Sequence, residues 1–217
     1  MIKYVLYIAV VLSLLSGIAY LFWIQELQYA LPTPKPDHLV ETHRGDSVNL
    51  PTSVDLPSTA FIHFYNFNCP CSRFNIKEFR NMVHEFRDTE FVAVLQTDET
   101  DIASIDAFKR KYDLGIPVVL DNDGAIAKSL GVYSTPQAVI IKDGRIFYKG
   151  NYNKARFCTT RNTAFARLAL TALMEGKEPP VFPEIATTAY GCSLPTNKNA
   201  TQYHDFVTRT IRKWKTN

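Results

Sequence analysis

The chain has 217 residues, a hydrophobic share of 46% and a formal net charge of +3. This length suits one ordinary domain with appendages, and the hydrophobic share is enough for a sizeable buried core. A net charge this small does not indicate a nucleic-acid partner, and we expect none.

The first predicted element is an uncharged apolar run over residues 4–24, YVLYIAVVLSLLSGIAYLFWI. As a helix it is long enough to cross the roughly 30 Å hydrocarbon core of a bilayer. Lys3 precedes the run and Glu26 follows it, so the positive-inside rule places the N-terminus in the cytoplasm. We therefore expect residues 1–25 to be a single-pass anchor in the inner (plasma) membrane, with the remaining chain extracytoplasmic (periplasmic). A cleaved signal peptide with processing at residues 17–19 is the alternative, but the apolar run continues past that site.

A connector follows the anchor over residues 26–57. Its LPTPKP sequence contains three prolines in alternate positions, which favours an extended linker. From residue 58 to residue 176 the pattern becomes regular. Strands are predicted at residues 59–66, 91–95, 116–120, 137–141 and 145–149. Helices are predicted at residues 70–86, from Ile102 to near Gly115, at residues 125–130, and from Thr159 or Thr160 to Gly176. The apolar stripe of the last helix contains Leu168, Leu170, Leu173 and Met174. This order of elements predicts an α/β fold, with a mixed sheet between helices.

Two of the four cysteines lie close together in FYNFNCPCSRFN, residues 64–75. Pro70 suits the first helical position, so Cys69 falls at or near the N-cap of the first helix of the domain. Free N–H groups and the helix dipole stabilise a thiolate there, and the sulfur can accept a backbone hydrogen bond. Residues i and i+2 point to opposite sides of a helix, so a Cys69–Cys71 bond would distort the first turn and be labile. Two structural thiols or a metal clip are the alternatives, although no set of paired metal ligands accompanies the cysteines.

A Ser134-Thr135-Pro136 sequence precedes the fourth predicted strand. Together with the first strand and the cysteine pair, it resembles the thioredoxin-fold redoxins. The resemblance is strongest to the membrane-anchored extracytoplasmic thioredoxin-like proteins and the alkyl-hydroperoxide-reductase/thiol-antioxidant group. It implies a thioredoxin-like fold over residues 58–176, a cis Pro136 lying against the reactive Cys69, and a partner groove shaped by Thr135 and Pro136. The Cys-Pro-Cys motif is atypical, because thioredoxins have two residues between their cysteines.

His63 lies six residues before Cys69. The thioredoxins that this chain resembles hold a buried carboxylate at the matching place, beneath the active site. The resemblance therefore implies that the imidazole relays a proton to the resolving thiol near neutral pH. The alternative is a core histidine that is hydrogen-bonded to the backbone.

The other two cysteines are far from the pair. Cys158 precedes the last helix, and Cys192 lies in a C-terminal extension over residues 177–217. An even cysteine count in an oxidising compartment favours a structural Cys158–Cys192 disulfide that ties the extension to the domain. Two free thiols, or one resolving partner for Cys69, are the alternatives. Residues 201–217 have an apolar face and a basic side, which predicts a helix packed on the domain.

The function that the resemblance implies is thiol–disulfide oxidoreduction at Cys69 and Cys71. Protein thiols and disulfides would be the partners, and no cofactor is expected. Cys69 would form a mixed disulfide with the partner, and Cys71 would resolve it. A peroxiredoxin-like thiol peroxidase is one alternative, although Asn66 stands where peroxiredoxins carry a threonine. A copper-binding assembly factor that uses the cysteines as soft ligands is the other.

Overall fold

The computed structural model describes residues 2–51, 56–96 and 103–197. Its strands are β1 (Ala60–Tyr65), β2 (Phe91–Leu95), β3 (Val118–Leu120), β4 (Ser134–Thr135), β5 (Gln137–Lys142), β6 (Arg145–Gly150) and β7 (Cys192–Ser193). Five of them form a mixed sheet with the order β3-β2-β1-β5-β6, while β4 and β7 pair separately. In the large sheet β1 runs parallel to β2 and antiparallel to β5. This is the thioredoxin-like α/β architecture expected from the sequence.

Six α-helices lie within the described residues: α1 (Ile2–Phe22), α2 (Gln28–Ala30), α3 (Pro70–Glu85), α4 (Ala103–Tyr112), α5 (Ala125–Ser129) and α6 (Phe165–Met174). A π-helical turn, Trp23–Leu27, joins α1 to α2. The helical run Ile2–Leu27 is long and apolar enough to cross a membrane, by length and composition. The helix predicted over residues 201–217 lies outside the described part of the chain.

β1 is buried along its whole length and separates two apolar layers. Successive side chains of a strand point to opposite faces of the sheet. Phe61 and Tyr65 therefore lie in the larger cluster, which contains residues of α3, α4 and α6. Ile62 and Phe64 lie in the second cluster, with residues of α5. Burying each of these large side chains contributes about 1.5–3 kcal/mol, so both faces of the sheet stabilise the position of β1.

The predicted order of elements is confirmed, and β2 has the bounds that the sequence predicts. The last helix is different. It begins at Phe165, after a 3₁₀ turn at Arg161–Thr163, and Thr160 makes no capping hydrogen bond with its side chain. Leu168 and Met174 were expected on the buried stripe but are exposed. The buried face instead contains three alanines. Residue hydrophobicity alone does not predict that these alanines are buried while Leu168 is exposed.

Part of the connector lies along the domain. The backbone N–H of Thr33 donates to the Ala189 carbonyl at 2.8 Å. Further on, Ser47 forms an isolated antiparallel bridge with Arg145 in β6. These contacts hold the connector against the C-terminal extension and β6. The domain limits at residues 58 and 176 stay predictions.

The C-terminal extension returns across the end of the sheet and is held there by Asn151. The backbone N–H of Asn151 donates to the Ala186 carbonyl at 2.8 Å. Its side-chain amide donates to the carbonyls of Ile185, at 2.8 Å, and Thr188, at 2.6 Å. Three hydrogen bonds from one residue fix this part of the extension, and β7 follows directly beside β4.

Candidate redox site

Cys69 occupies the N-cap of α3, as the sequence predicts. Asn66 closes the preceding turn, since its Oδ1 accepts a hydrogen bond from the Asn68 N–H at 2.8 Å and its carbonyl accepts one from the Cys69 N–H at 3.1 Å. Pro70 begins the helix, where a missing N–H costs nothing. The Cys69 side chain forms no capping hydrogen bond, so that part of the expectation is wrong. Its sulfur is engaged in a covalent bond instead.

Cys69 is disulfide-bonded to Cys192, and their Cα atoms are 5.8 Å apart. Cys71 and Cys158 are free thiols. The pairing follows from the β4–β7 ladder, in which Cys192 stands opposite Thr135 and is thereby brought to the start of α3. The Cys158–Cys192 disulfide expected from the sequence is therefore wrong, and the alternative in which Cys192 is the partner of Cys69 is the one found. Cys69 is likewise not bonded to Cys71 in this state.

Cys71 lies beside this disulfide. The three sulfur atoms of Cys69, Cys71 and Cys192 are within 4.8 Å of one another. All three residues are buried, with exposed fractions of 1%, 4% and 8% in that order. Tyr29 from α2 belongs to the same buried cluster. A thiolate on Cys71 is thus close enough to exchange with either bonded sulfur after a small side-chain movement.

The Thr135–Pro136 peptide bond is cis, as the resemblance to redoxins implies. The carbonyl oxygen of Thr135 lies 3.3 Å from the sulfur of Cys69. In the reduced protein the Cys69 thiol can donate a hydrogen bond to this oxygen. The structure therefore places Thr135 and Pro136 next to Cys69, although their role in partner binding stays a prediction.

Arg156 brings a positive charge to Cys71. Its guanidinium donates hydrogen bonds to the Gln25 carbonyl at 2.8 Å and to the Glu26 carboxylate at 2.9 Å. It also stacks over the Tyr29 ring, with 4.5 Å between the guanidinium carbon and the ring centroid. Burial raises the pKa of the Cys71 thiol, and the charge and hydrogen bond of Arg156 oppose that shift. Arg156 thus attaches the turn after α1 to the site and favours the Cys71 thiolate.

His63 is fully buried in β1. Its ring stacks on Phe79, with 4.2 Å between centroids, and its Nδ1 shares a hydrogen bond with the Tyr152 hydroxyl at 2.7 Å. Burial lowers the pKa of His63 to about 3, so the imidazole is neutral near pH 7. The hydrogen-bond partner is a side chain and not the backbone group expected for a core histidine. A role in proton relay stays a prediction.

Cys158 contacts α3 without joining the disulfide. The Asn75 side-chain amide donates a hydrogen bond to its sulfur at 3.1 Å. Burial raises the pKa of Cys158 to about 11, which keeps this sulfur protonated at neutral pH. Cys158 is therefore a much weaker nucleophile than a thiol with an ordinary pKa.

A cavity of about 260 Å³ opens beside the cluster. Both free thiols, Cys71 and Cys158, line it together with Asn75, Pro136 and Arg156. Cys69 and Cys192 are not among its lining residues. A molecule in this space would contact the two free thiols and not the sulfurs of the disulfide.

Sequence reasoning missed Tyr29, Arg156 and the correct partner of Cys192. Cys69 and Cys192 are 123 residues apart, and no spacing rule connects them. The available signal was the Gly191-Cys192 pair, which holds the one cysteine of the extension over residues 177–217. No comparable signal marks Tyr29 or Arg156, because their contacts exist only in the folded chain.

The fold and the site together define a class of protein. A mixed sheet of this strand order, a cysteine at the start of the helix after β1 and a facing cis-proline are the features of a thioredoxin-like redoxin. The sequence model of the AhpC/TSA family matches residues 33–149, and the chain belongs to this family. The match includes Cys69, Cys71 and Pro136, and it ends before Cys158 and Cys192.

Known proteins with similar sequences include two thiol-disulfide oxidoreductases named ResA. They come from Bacillus thuringiensis subsp. konkukian (strain 97-27) and Bacillus cereus (strain ATCC 10987 / NRS 248). Each is 34% identical to this chain over 100 residues, which cover 43% of this chain and 56% of the relative. The chain thus spans little more than half the length of the curated relatives it matches.

Two solved structures have folds similar to that of this chain. A hypothetical protein of Sinorhizobium meliloti 1021 has a TM-score of 0.59 at 18% identity, covering 72% of this chain and 96% of that one. An uncharacterized conserved protein of Geobacillus kaustophilus has a TM-score of 0.58 at 20% identity, covering 76% of this chain and 96% of that one. At these identities the likeness concerns the fold alone.

Proposed function

We propose that the chain is a membrane-anchored thiol–disulfide oxidoreductase whose redox centre is the three-cysteine cluster. The observation that carries the proposal is the convergence of three buried sulfurs, within 4.8 Å of one another, at the start of α3. The name of the ResA relatives, thiol-disulfide oxidoreductase, supports the same activity. No cofactor is needed, because thiol–disulfide exchange passes the electrons directly from sulfur to sulfur.

Cys69 is the sulfur that exchanges with the partner protein. A partner thiolate attacks Cys69, the Cys69–Cys192 bond breaks, and Cys192 leaves as a thiolate. A second partner thiol then attacks the partner's own sulfur in the mixed disulfide and releases Cys69. The partner gains a disulfide, and two electrons are left on Cys69 and Cys192. The reverse sequence oxidises the chain.

Cys71 is the second resolving thiol of the centre. When Cys69 of the reduced chain has attacked a partner disulfide, the Cys71 thiolate attacks the Cys69 sulfur of the mixed disulfide and releases the partner as a thiolate, the role that the resemblance implies. Cys192 then displaces Cys71 from Cys69. This order ends with a Cys69–Cys192 bond and a free Cys71, which is the state that the structure contains. Thr135 and Pro136 border the groove in which the partner chain lies.

The redox domain acts on the outer side of the inner membrane. The apolar helix Ile2–Leu27 supports an anchor, and the position of Lys3 before it supports a cytoplasmic N-terminus. An oxidising compartment also suits a disulfide that must be re-formed. Protease added to spheroplasts tests the orientation, because the domain should be digested while a cytoplasmic marker survives.

Exchange between the reduced full-length chain, in detergent, and a disulfide-bonded reporter protein tests the activity. Cys69→Ser should abolish exchange, since no mixed disulfide can then form at the N-cap. Cys192→Ser should slow turnover by roughly tenfold or more, because only Cys71 is left to resolve. Cys158→Ser is the matched control and should keep the rate of the native chain. An active Cys69→Ser variant would refute the mechanism.

The third sulfur also favours a second candidate function, that of a copper-binding assembly factor. Thiolates are soft ligands that suit Cu(I), and three of them converge here. Such binding requires the reduced chain, because two of the sulfurs are bonded to each other in the oxidised one. Titration of the fully reduced chain with Cu(I) against a competing chelator tests it. Binding that is unchanged in Cys71→Ser and Cys192→Ser would exclude the cluster as the site.

A further inference from the structure

The cavity beside Cys71 shares Cys71 and Pro136 with the exchange described above, but its other lining residues have no part in that exchange. We propose that it binds a low-molecular-weight disulfide that bears carboxylates, and that the Cys71 sulfur attacks this ligand. The inference rests on the proposed function, because it gives the same redox centre a second, small-molecule substrate.

Cys69 and Cys71 have different surroundings within the redox centre. Cys69 lies against the Thr135 carbonyl, on the side where a partner chain is expected. Cys71 lines the cavity, whereas Cys69 and Cys192 do not line it. The difference arises in α3, because residues two apart on a helix point to different sides. A ligand in the cavity therefore reaches the centre through Cys71.

Asn75 places a buried polar atom without a hydrogen-bond partner at the cavity. It follows Cys71 by one helical turn, lines the cavity and is 1% exposed. One end of its amide is bonded to the Cys158 sulfur, and the Oδ1 has no hydrogen-bond partner. A thiol can donate or accept, so turning the amide over still leaves one of its polar atoms unpaired. Buried polar atoms are usually paired, and a bound ligand would supply the missing hydrogen bond here.

The charges around the cavity favour an anion. Lys154 and Arg156 line it, against a single acidic lining residue, Glu26. Lys154 is exposed at the rim, while Arg156 lies deeper, between Glu26 and Cys71. Arg156 is already ion-paired with Glu26, but its buried Nε has no hydrogen-bond partner. A ligand carboxylate would accept charge-assisted hydrogen bonds from this Nε and from Lys154, and such bonds are stronger than neutral ones.

The size of the cavity limits the ligand. Its volume of about 260 Å³ lies just below the range of about 300–1,000 Å³ that is usual for ligand pockets. A small disulfide with short carboxylate arms fits this space, whereas a folded protein segment does not.

The attack at Cys71 is a balanced exchange. The Cys71 thiol loses its proton, and the thiolate attacks one sulfur of the ligand. A disulfide forms between Cys71 and one half of the ligand, the S–S bond of the ligand breaks, and the other half leaves as a thiolate that takes up a proton. In the reduced chain Cys69 then attacks the Cys71 sulfur and releases the second small thiol. Cys192 finally displaces Cys71 from Cys69. One small disulfide becomes two small thiols, and the chain gains one disulfide.

Three short disulfides that differ in charge test the charge preference on the full-length oxidised chain in detergent. Dithiodipropionate carries carboxylates, bis(hydroxyethyl) disulfide is neutral, and cystamine carries ammonium groups. Mass spectrometry follows mixed-disulfide formation at Cys71, and each rate is divided by that of the same probe with a free cysteine peptide. This ratio removes the difference between leaving groups. We expect the corrected rate for dithiodipropionate to exceed that of the neutral probe by about tenfold, and cystamine to fall below the neutral probe.

Variants of the lining charges should move this preference in opposite directions. Lys154→Gln and Arg156→Gln should lower the preference for dithiodipropionate, and Glu26→Gln should raise it. Since Lys154 is exposed, its variant should fold normally. The neutral probe reports any general change in the reactivity of Cys71. Arg44→Gln, which breaks the exposed Arg44–Glu178 ion pair and not a cavity contact, is the control and should change nothing.

Equal corrected rates for the three probes would overturn the proposal, as would modification at Cys158 or Cys69 in place of Cys71. Exchange with the reporter protein is measured on a reduced portion of the same preparation. If that exchange persists while the small disulfides show no preference, the cavity proposal alone fails. If the reporter exchange and the preference among the small disulfides are both absent, the proposed function fails as well.

Discussion

At His63, burial decides the charge of a single side chain. The pKa of the buried imidazole is lowered from 6.5 to about 3, while the unfolded chain keeps the ordinary value. Between pH 6.5 and pH 3 the unfolded chain therefore binds a proton that the native chain excludes. Above pH 6.5 the ionisation of His63 does not reduce the free energy of unfolding. Between pH 6.5 and pH 3 it lowers the free energy of unfolding by up to about 1.4 kcal/mol for each unit that the pH falls.

His63→Phe should flatten this part of the pH profile. Phenylalanine keeps an aromatic ring against Phe79 but cannot ionise. It leaves the Tyr152 hydroxyl unpaired, so we expect a loss of about 1–3 kcal/mol at pH 7. Urea unfolding of the full chain at a series of pH values measures both effects. Tyr152→Phe is the control that retains the histidine, and it should keep the steep profile. Reporter exchange by His63→Phe at the native rate would exclude the proton relay.

β4 and β7 decide which cysteines meet, although each has only two residues. Gly191 precedes Cys192 with a φ of +139°, and a Cβ at this position would overlap the Thr135 carbonyl. A side chain there would push Cys192 away from β4. The disulfide thus depends on a glycine that allows the extension to approach the cis-proline turn.

Gly191→Ala should separate Cys192 from Cys69, at a cost of at least about 2 kcal/mol. Peptide mapping without reductant should find less of the Cys69–Cys192 bond, and thermal unfolding should give a lower Tm. Gly144→Ala is the matched control, because Gly144 also has a positive φ but has no atom near its missing Cβ. That variant should lose about 1–2 kcal/mol and keep the bond. If the two variants behave alike, the contact with Thr135 is unimportant.

The large sheet could be predicted from the sequence because its strands are continuous apolar runs, as in β1 and β2. Cys69 at the N-cap could also be predicted, since Pro70 is a local signal. The partner of Cys69 could not, because two-residue strands have no periodicity and their pairing joins distant parts of the chain. The same holds for Arg156, whose contacts with Glu26 and Cys71 depend on tertiary structure alone.

On the scale of the whole molecule, the chain that leaves α1 folds back over the redox centre. Tyr29 packs on the cysteine cluster, and the Arg156–Glu26 ion pair holds the turn before it. The three cysteines owe part of their burial to this cover. Access to the centre is therefore coupled to the segment that follows the apolar helix.

Tyr29→Ala should open the cover and expose Cys71. We expect the rate of Cys71 alkylation to rise roughly tenfold, which corresponds to about 1.4 kcal/mol of local opening free energy. The measurement uses the oxidised full-length chain, in which Cys69 and Cys192 are protected by their bond. Tyr7→Ala, an exposed position of α1, is the control and should leave the rate unchanged. An unchanged rate in Tyr29→Ala would mean that the cluster is reached by another route.

The Cys69–Cys192 bond joins residues 123 positions apart, so the oxidised chain contains a large covalent ring. A ring occupies less space than an open chain of equal length, even after denaturation. Oxidised and reduced molecules should therefore migrate as two bands in electrophoresis under denaturing, non-reducing conditions. Cells quenched with acid and treated with an alkylating agent would show, from the ratio of these bands, which redox state the protein holds in the cell.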